Sequence, residues 1–139
     1  MKAKIKWTGD VSFEGTADSG HTLVMDGAPD AGGRNKGARP MELVLIGTGG
    51  CTAFDVMHIL RKSRQEVSGC VAEVEAKRAE TDPKVFTNIH IHFVITGKNL
   101  DPKKVQHAIE LSATKYCSAS IMLAKTAKVT HDFDIVESE

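Results

Sequence analysis

The sequence predicts an α+β protein in which antiparallel sheets pack on a central buried helix. Strand-like segments come in adjacent groups, in the order β-β-β, helix, β-β, helix, β, which favours antiparallel pairing. The first helical segment is apolar on nearly all sides, and a helix without a polar face is typical of a buried one. With 139 residues, the chain has the length of one domain, and we predict a single domain over residues 1–139.

Charge and composition exclude several classes of partner. There are 18 Lys and Arg residues against 18 Asp and Glu residues, so the formal net charge is zero. This balance predicts no chain-wide attraction to nucleic acid or to acidic membranes. An aromatic share of 5% provides no base-stacking set. We therefore expect neither nucleic acid nor a membrane as a partner.

The location of the chain is predicted from its N-terminus and its cysteines. The first six residues alternate charged and apolar side chains and lack the apolar run of a secretory signal. The longest uncharged window, 43–54, is too short to cross a bilayer. Three cysteines, an odd number, argue against a secreted disulfide scaffold. These features predict a cytoplasmic protein with free thiols.

Residues 1–25 are predicted to form a meander of three strands. Ala3, Ile5 and Trp7 alternate with lysines, the period-two pattern of a strand with one apolar face. The segment 26–39 is rich in glycine, and we expect a flexible loop. A loop of this length suggests a functional flap or a partner contact.

A central helix is predicted over residues 40–66. Pro40 suits the first helical position, where a missing N–H costs nothing. The helix nevertheless contains Gly47, Gly49 and Gly50, each of which costs about 1 kcal/mol relative to alanine. Such glycines indicate a backbone pressed closely against another element, or one that leaves access to Cys51.

The second half of the chain alternates strands and helices. Residues 70–97 alternate apolar and polar side chains around a turn, which predicts a long antiparallel hairpin. Asp101 followed by Pro102 is a helix start, and we expect helices over 101–125. A last strand is predicted over 127–137.

Two cysteines are the main candidates for chemistry. Cys51 lies inside the apolar helix, and Cys117 lies at the far end of the second helix. If they meet in the fold, they could form a peroxidatic and resolving couple or a disulfide switch. Free cysteines are also common as small buried hydrophobes, so the residues alone leave both readings open.

A family resemblance bears on these readings. The run Pro40-Met41-Glu42-Leu43-Val44-Leu45-Ile46-Gly47-Thr48-Gly49-Gly50-Cys51 resembles the "P-x-E-L-L-x-A-x-x-x-C" helix of the OsmC/Ohr family, the osmotically inducible and organic-hydroperoxide-resistance proteins. Residues 115–120, Lys-Tyr-Cys-Ser-Ala-Ser, resemble the second cysteine motif of that family. The His-Ile-His-Phe strand and the Met-Glu variant of the first motif are most similar to its YhfA-like branch.

The resemblance implies an OsmC-like fold, an intertwined homodimer and a thiol peroxidase for organic hydroperoxides. Such an enzyme needs no metal or prosthetic group and is reset by an external dithiol, of lipoyl type in the better-known members. By resemblance, Cys51 is the peroxidatic cysteine and Cys117 the resolving one. The alternative is a dimer of the same fold that binds a small apolar or thiol ligand, with little or no peroxidase activity.

The resemblance also implies residues that support the reactive thiol. The acidic residue of the first motif is Glu42, and the first arginines along the chain are Arg34 and Arg39. Nine helical steps of about 100° place Glu42 on the opposite face of a regular helix from Cys51. An arginine that reaches Cys51 would favour the enzyme, and its absence would favour the ligand-binding protein.

Other polar residues have simpler interpretations. Asp55 and His58 share a helical face with Cys51, and we interpret them as a polar seam against another element or against the partner subunit. His90 and His92 share a strand face, which we expect to be solvated and not to hold a metal. Cys70 is expected to pack in the core.

Overall fold

A computed structural model describes residues 1–139 as a mixed α+β structure. Two compact units make up the chain, Met1–Leu45 and Ile46–Glu139. The elements in chain order are β1 (Ala3–Gly9), β2 (Ser12–Ala17), β3 (Thr22–Met25), a 3-10 turn (Pro29–Ala31), α1 (Pro40–Lys62), β4 (Glu66–Arg78), β5 (Phe86–Lys98), α2 (Pro102–Leu111), a π turn (Ser112–Tyr116), α3 (Ser118–Leu123) and β6 (Lys128–Glu137).

The first unit contains the predicted meander. Strands β1, β2 and β3 pair in that order and antiparallel, with Phe13 opposite both Trp7 and Met25. None of the buried apolar side chains of the protein belongs to this unit, and Trp7 is 63% exposed. The exposed large apolar residues of the meander are Ile5, Trp7, Phe13, Leu23 and Val24. Within one chain, the meander therefore leaves apolar surface uncovered.

One buried carboxylate at the start of the segment 26–39 accepts hydrogen bonds from the backbone of that segment. Asp26 accepts hydrogen bonds from the backbone N–H groups of Gly27 at 2.8 Å, Arg34 at 2.9 Å and Lys36 at 3.1 Å. The N–H groups of Arg34 and Lys36 stabilise the charged form and lower the pKa of Asp26 to about 2. The loop is thus folded around a side chain that sequence reasoning did not single out.

The second unit contains a mixed sheet and the core. Strands β4 and β5 form the predicted antiparallel hairpin, but β6 pairs with β5 in parallel. The expectation of purely antiparallel sheets is wrong for this strand, because α2, the π turn and α3 form the crossover that a parallel return requires. The core consists of buried side chains on β5, α1 and α2: Ile89, Ile91, Phe93, Ile95, Val56, Leu60, Val105, Ala108 and Ile109.

Helix α1 begins at Pro40, as the proline predicts, and ends at Lys62, before the predicted residue 66. Arg64 has a φ of 61°, a left-handed conformation that ends the helix and leads into β4. By length and composition alone, α1 could cross a membrane, since an 18-residue window has a mean hydropathy of 1.6. The core helix of a soluble protein passes the same test, so the finding by itself is weak.

The glycines of α1 differ in their surroundings. A Cβ added at Gly49 would lie 3.1 Å from Cγ2 of Val74, so the helix backbone approaches β4 closely there. Nothing lies within 4 Å of a Cβ added at Gly47 or Gly50. These two glycines lie on an exposed apolar stripe of α1, which also includes Ile46 and Phe54; Phe54 is 73% exposed. One glycine thus permits close packing against a strand, and two lie on uncovered surface.

Candidate functional site

The structure brings Cys51 and Cys117 together. Cys51 lies in the middle of α1 and is half-buried, while Cys117 follows the π turn and has no exposed surface. Their side chains are near enough for Cys51 to raise the pKa of Cys117, and both are free thiols. Two cysteines separated by 66 positions therefore meet inside one unit of the fold.

The two thiols have different environments. Burial raises the pKa of the Cys117 thiol above its ordinary value, and the neighbouring Cys51 raises it further. The backbone N–H of Ser120 opposes this increase, because it donates to Sγ of Cys117 at 3.4 Å. The protonated form of the Cys117 thiol is therefore favoured beside the sulfur of Cys51.

The π turn positions Cys117. Its backbone N–H donates to the carbonyl of Ser112, five residues earlier, at 2.8 Å. Wider turns of this kind occur mostly as single turns and are frequent at functional sites. At the start of the turn, the hydroxyl of Ser112 lies 2.7 Å from Oγ1 of Thr52 and donates to Oδ2 of Asp55 at 3.0 Å. The predicted polar seam of α1 therefore meets the π turn through Asp55.

The three predicted supporting residues have partners in the first unit. Nη2 of Arg34 lies 3.3 Å from Oδ2 of Asp10, and both side chains are largely exposed. Nη1 of Arg39 donates to Oδ1 of Asn35 at 2.8 Å. Oε1 of Glu42 accepts the backbone N–H of Arg39 at 2.8 Å, one half of a capping box at the start of α1. Their roles toward Cys51 stay predictions.

The third cysteine lines a groove on the second unit. Cys70 is half-buried, and burial raises the pKa of its thiol. The groove has a volume of about 430 Å³. Its lining residues are Gly50, Ala53, Phe54, Met57, His58, Arg61 and Cys70. The ring of His58 stacks on that of Phe54, with a centroid distance of 6.2 Å.

The two strand histidines share one carboxylate on the exposed face of the sheet. Oδ1 of Asp132 lies 2.8 Å from Nε2 of His90 and 2.6 Å from Nδ1 of His92. The hydrogen bond to Asp132 raises the pKa of His92, while burial lowers the pKa of His131 on the other face of β6. The structure contains no group of three or more His, Cys, Asp or Glu residues arranged to hold a metal ion.

Sequence reasoning missed Thr52 and Ser112. Ser112 lies at helical spacing from Val105, Ala108 and Ile109, on a face that is otherwise apolar. A hydroxyl on a buried face needs a hydrogen-bond partner, and this was the available signal. The partner could not be named without the tertiary structure.

Fold and site together define an α+β protein with a pair of adjacent thiols. The family described as OsmC-like protein matches residues 33–132. Over 136 residues the chain is 43% identical to protein YhfA of Escherichia coli K12, with 98% of each chain covered. The chain therefore belongs to the OsmC-like protein family, which confirms the resemblance seen in the sequence.

Solved structures agree with this assignment. A hypothetical protein from Aquifex aeolicus VF5 is 29% identical and superimposes with a TM-score of 0.87, covering 99% of this chain and 97% of its own. The organic hydroperoxide resistance protein OhrB of Bacillus subtilis has a TM-score of 0.64 at 22% identity, with 96% and 98% covered. The second likeness shows a shared fold, which confirms the predicted fold class.

Proposed function

We propose that this protein is a cysteine-dependent peroxidase that reduces organic hydroperoxides. The observation that carries the proposal is the proximity of the Cys51 and Cys117 thiols, which is close enough for Cys51 to raise the pKa of Cys117. A pair of adjacent free thiols can pass through a sulfenic acid to a disulfide without a metal or prosthetic group.

The proposed reaction has two steps. The thiolate of Cys51 attacks the outer oxygen of the hydroperoxide, the O–O bond breaks, and the alkoxide leaves to take up a proton as the alcohol. Cys51 is then a sulfenic acid. The sulfur of Cys117, losing its proton, attacks the sulfur of Cys51; an S–S bond forms and the hydroxyl leaves as water. An external dithiol, of lipoyl type in our proposal, reduces the disulfide by thiol exchange.

The different environments of the two thiols support this assignment of roles. Cys117 is fully buried and its pKa is raised, which suits a thiol that stays protonated until a sulfenic acid forms beside it. Cys51 is half-buried and is therefore the more accessible of the two to a substrate. The organic hydroperoxide resistance protein of Bacillus subtilis shares the fold. For the cation beside the thiolate, we propose Arg34 or Arg39, from the same or a second copy.

We further propose a homodimer that works in the cytoplasm. The apolar stripe of α1 and the apolar face of the meander are uncovered within one chain. Exposed apolar patches of this extent are typical of protein–protein interfaces. A second copy of the chain, with the same two surfaces, is the occupant we propose.

The peroxidase proposal is tested by mass spectrometry of the reduced protein after one equivalent of cumene hydroperoxide or of hydrogen peroxide. We expect a rapid loss of two hydrogens, mapped by peptides to a bond between Cys51 and Cys117, and faster with the organic peroxide. A Cys70→Ser variant serves as the matched control and should react like the unchanged protein. If both thiols stay reduced over minutes, the peroxidase proposal is wrong, and a dimer that binds a small apolar or thiol ligand becomes the better interpretation.

The dimer is tested by light scattering on a sizing column. We expect a mass of about twice the 15.0 kDa of one chain. Phe54→Glu places a charge on the apolar stripe of α1 and should shift the protein to a monomer. Val71→Glu makes the same change at an exposed position on β4 and is the control. A Phe54→Glu protein that remains dimeric would exclude this face as the interface.

A further inference from the structure

We propose that a hydrogen-bond chain from Thr52 through Ser112 to Asp55 positions Cys117 for bond formation with Cys51. This inference rests on the proposed function, because it assigns a role within the second, resolving step. The three residues belong to the second unit. They are positioning residues that would act through the π turn.

The donor and acceptor of each hydrogen bond in this series follow from the chemistry of the three side chains. An ionised carboxylate only accepts hydrogen bonds, so the single hydroxyl proton of Ser112 points to Asp55. Ser112 must then accept the bond at 2.7 Å from Thr52, whose hydroxyl is the donor. Thr52 and Ser112 have no exposed surface, so water cannot replace these partners without local opening.

The geometry attaches the π turn to α1 at both ends. Ser112, at the start of the turn, is bonded to Thr52 and Asp55, which lie one and four residues after Cys51. Cys117, just past its end, lies beside Cys51 and donates its N–H to the carbonyl of Ser112. The same short stretch of α1 thus carries the reactive thiol and the anchor of the resolving thiol.

The hydrogen bonds that anchor Ser112 to α1 affect the formation of the Cys51–Cys117 disulfide and not the attack on the peroxide. A disulfide has a narrow range of allowed distances and dihedral angles, so small displacements of the backbone that carries Cys117 reduce the fraction of molecules ready to close. The peroxide reacts at Cys51 itself, which the helix holds regardless of the Ser112 bonds. Loss of the anchor should therefore slow one step selectively.

The test measures the two steps separately in Ser112→Ala. Dimedone trapping of the Cys51 sulfenic acid reports the first step, and the appearance of the Cys51–Cys117 disulfide reports the second. We expect the first rate to stay within about twofold and the second to fall about tenfold, the size of effect that losing one hydrogen bond to a charged group produces. Dimedone adducts should accumulate in the variant.

Matched variants separate positioning from a general loss of structure. Asp55→Asn keeps an oxygen that can accept the bond from Ser112 and should close at nearly the normal rate, whereas Asp55→Ala should close as slowly as Ser112→Ala. Thr114→Ala removes a hydroxyl of the same π turn whose bond goes to the carbonyl of Glu110, and closure should be unaffected. Equal slowing of both steps in Ser112→Ala, or normal closure in Asp55→Ala, would overturn the proposal.

A second readout does not depend on peroxide. The equilibrium between the Cys51–Cys117 dithiol and glutathione disulfide gives the effective concentration of one thiol at the other. We expect this value to fall about tenfold in Ser112→Ala. If the unchanged protein does not react with hydroperoxides but the effective concentration still falls in Ser112→Ala, the peroxidase proposal fails and the positioning role stands. If hydroperoxides react and the value is unchanged, the positioning role is wrong.

Discussion

The close approach of α1 to β4 predicts that Gly49→Ala destabilises the protein. A methyl group at this position would lie 3.1 Å from Cγ2 of Val74, inside the ordinary carbon–carbon contact distance of about 3.5–4.0 Å. The strand or the helix must therefore shift by a few tenths of an ångström or more. Because Gly49 is two residues before Cys51, a shift of the helix would also displace the Cys51 thiol.

Two opposing effects set the size of the change. Alanine is favoured over glycine inside a helix by about 1 kcal/mol, and overpacking a close contact costs about 1–3 kcal/mol. The expected net result is a loss of about 1 kcal/mol in the free energy of unfolding. If Val74 is first shortened to alanine, the methyl group at position 49 has room. In that background Gly49→Ala should instead stabilise the protein by about 1 kcal/mol.

The assay is a double-mutant cycle from urea unfolding at one fixed protein concentration, since the stability of a dimer depends on concentration. The expected coupling between positions 49 and 74 is about 2 kcal/mol. Should Gly49→Ala stabilise the protein equally in both backgrounds, the reasoning about this contact would be wrong.

Two further predictions concern titrating groups. In an NMR titration, His92 should have a higher pKa than His131. The Asp132→Asn variant should lower the pKa of His92, because it removes the hydrogen-bonded carboxylate. An unchanged pKa of His92 in that variant would show that Asp132 does not raise it. The pKa of Asp26 is lower in the folded chain than its ordinary 3.8, so its contribution to stability is present above pH 3.8 and is lost as the pH falls toward about 2. Urea midpoints between pH 5 and pH 2 should therefore fall less steeply for Asp26→Asn than for the unchanged protein, and parallel curves would refute the role of this side chain.

Local patterns in the sequence predicted the elements that local physics determines. A helix accommodates proline without cost only in its first turn, so the sequence predicts helix starts at Pro40 and at Asp101-Pro102. Both helices begin there. The period-two alternation of β5 likewise predicted which of its side chains face the core. The resemblance of two short motifs predicted that Cys51 and Cys117 belong to one site, whereas their spacing alone did not.

Features set by tertiary contacts were not predictable in the same way. The parallel pairing of β6 depends on the path of the crossover, which the pattern of a single strand does not record. The bond from Ser112 to Asp55 joins residues 57 positions apart, and a serine on an apolar face shows only that some partner is needed. Asp26 looks like an ordinary turn residue until the loop places three N–H groups around its carboxylate.

The meeting of Cys51 and Cys117 has a consequence for the unfolded chain as well as for the folded one. The 65 residues between them include the whole β4–β5 hairpin and α2. A covalent link that closes a loop of that length removes conformational entropy from the unfolded state. In the simple polymer description, this stabilises the folded state by about 4 kcal/mol. The oxidised protein should accordingly resist heat and proteases better than the reduced one. In the proposed reaction, each cycle would alternate between a more stable oxidised form and a less stable reduced form of the chain. The melting temperature alone would then report the redox state.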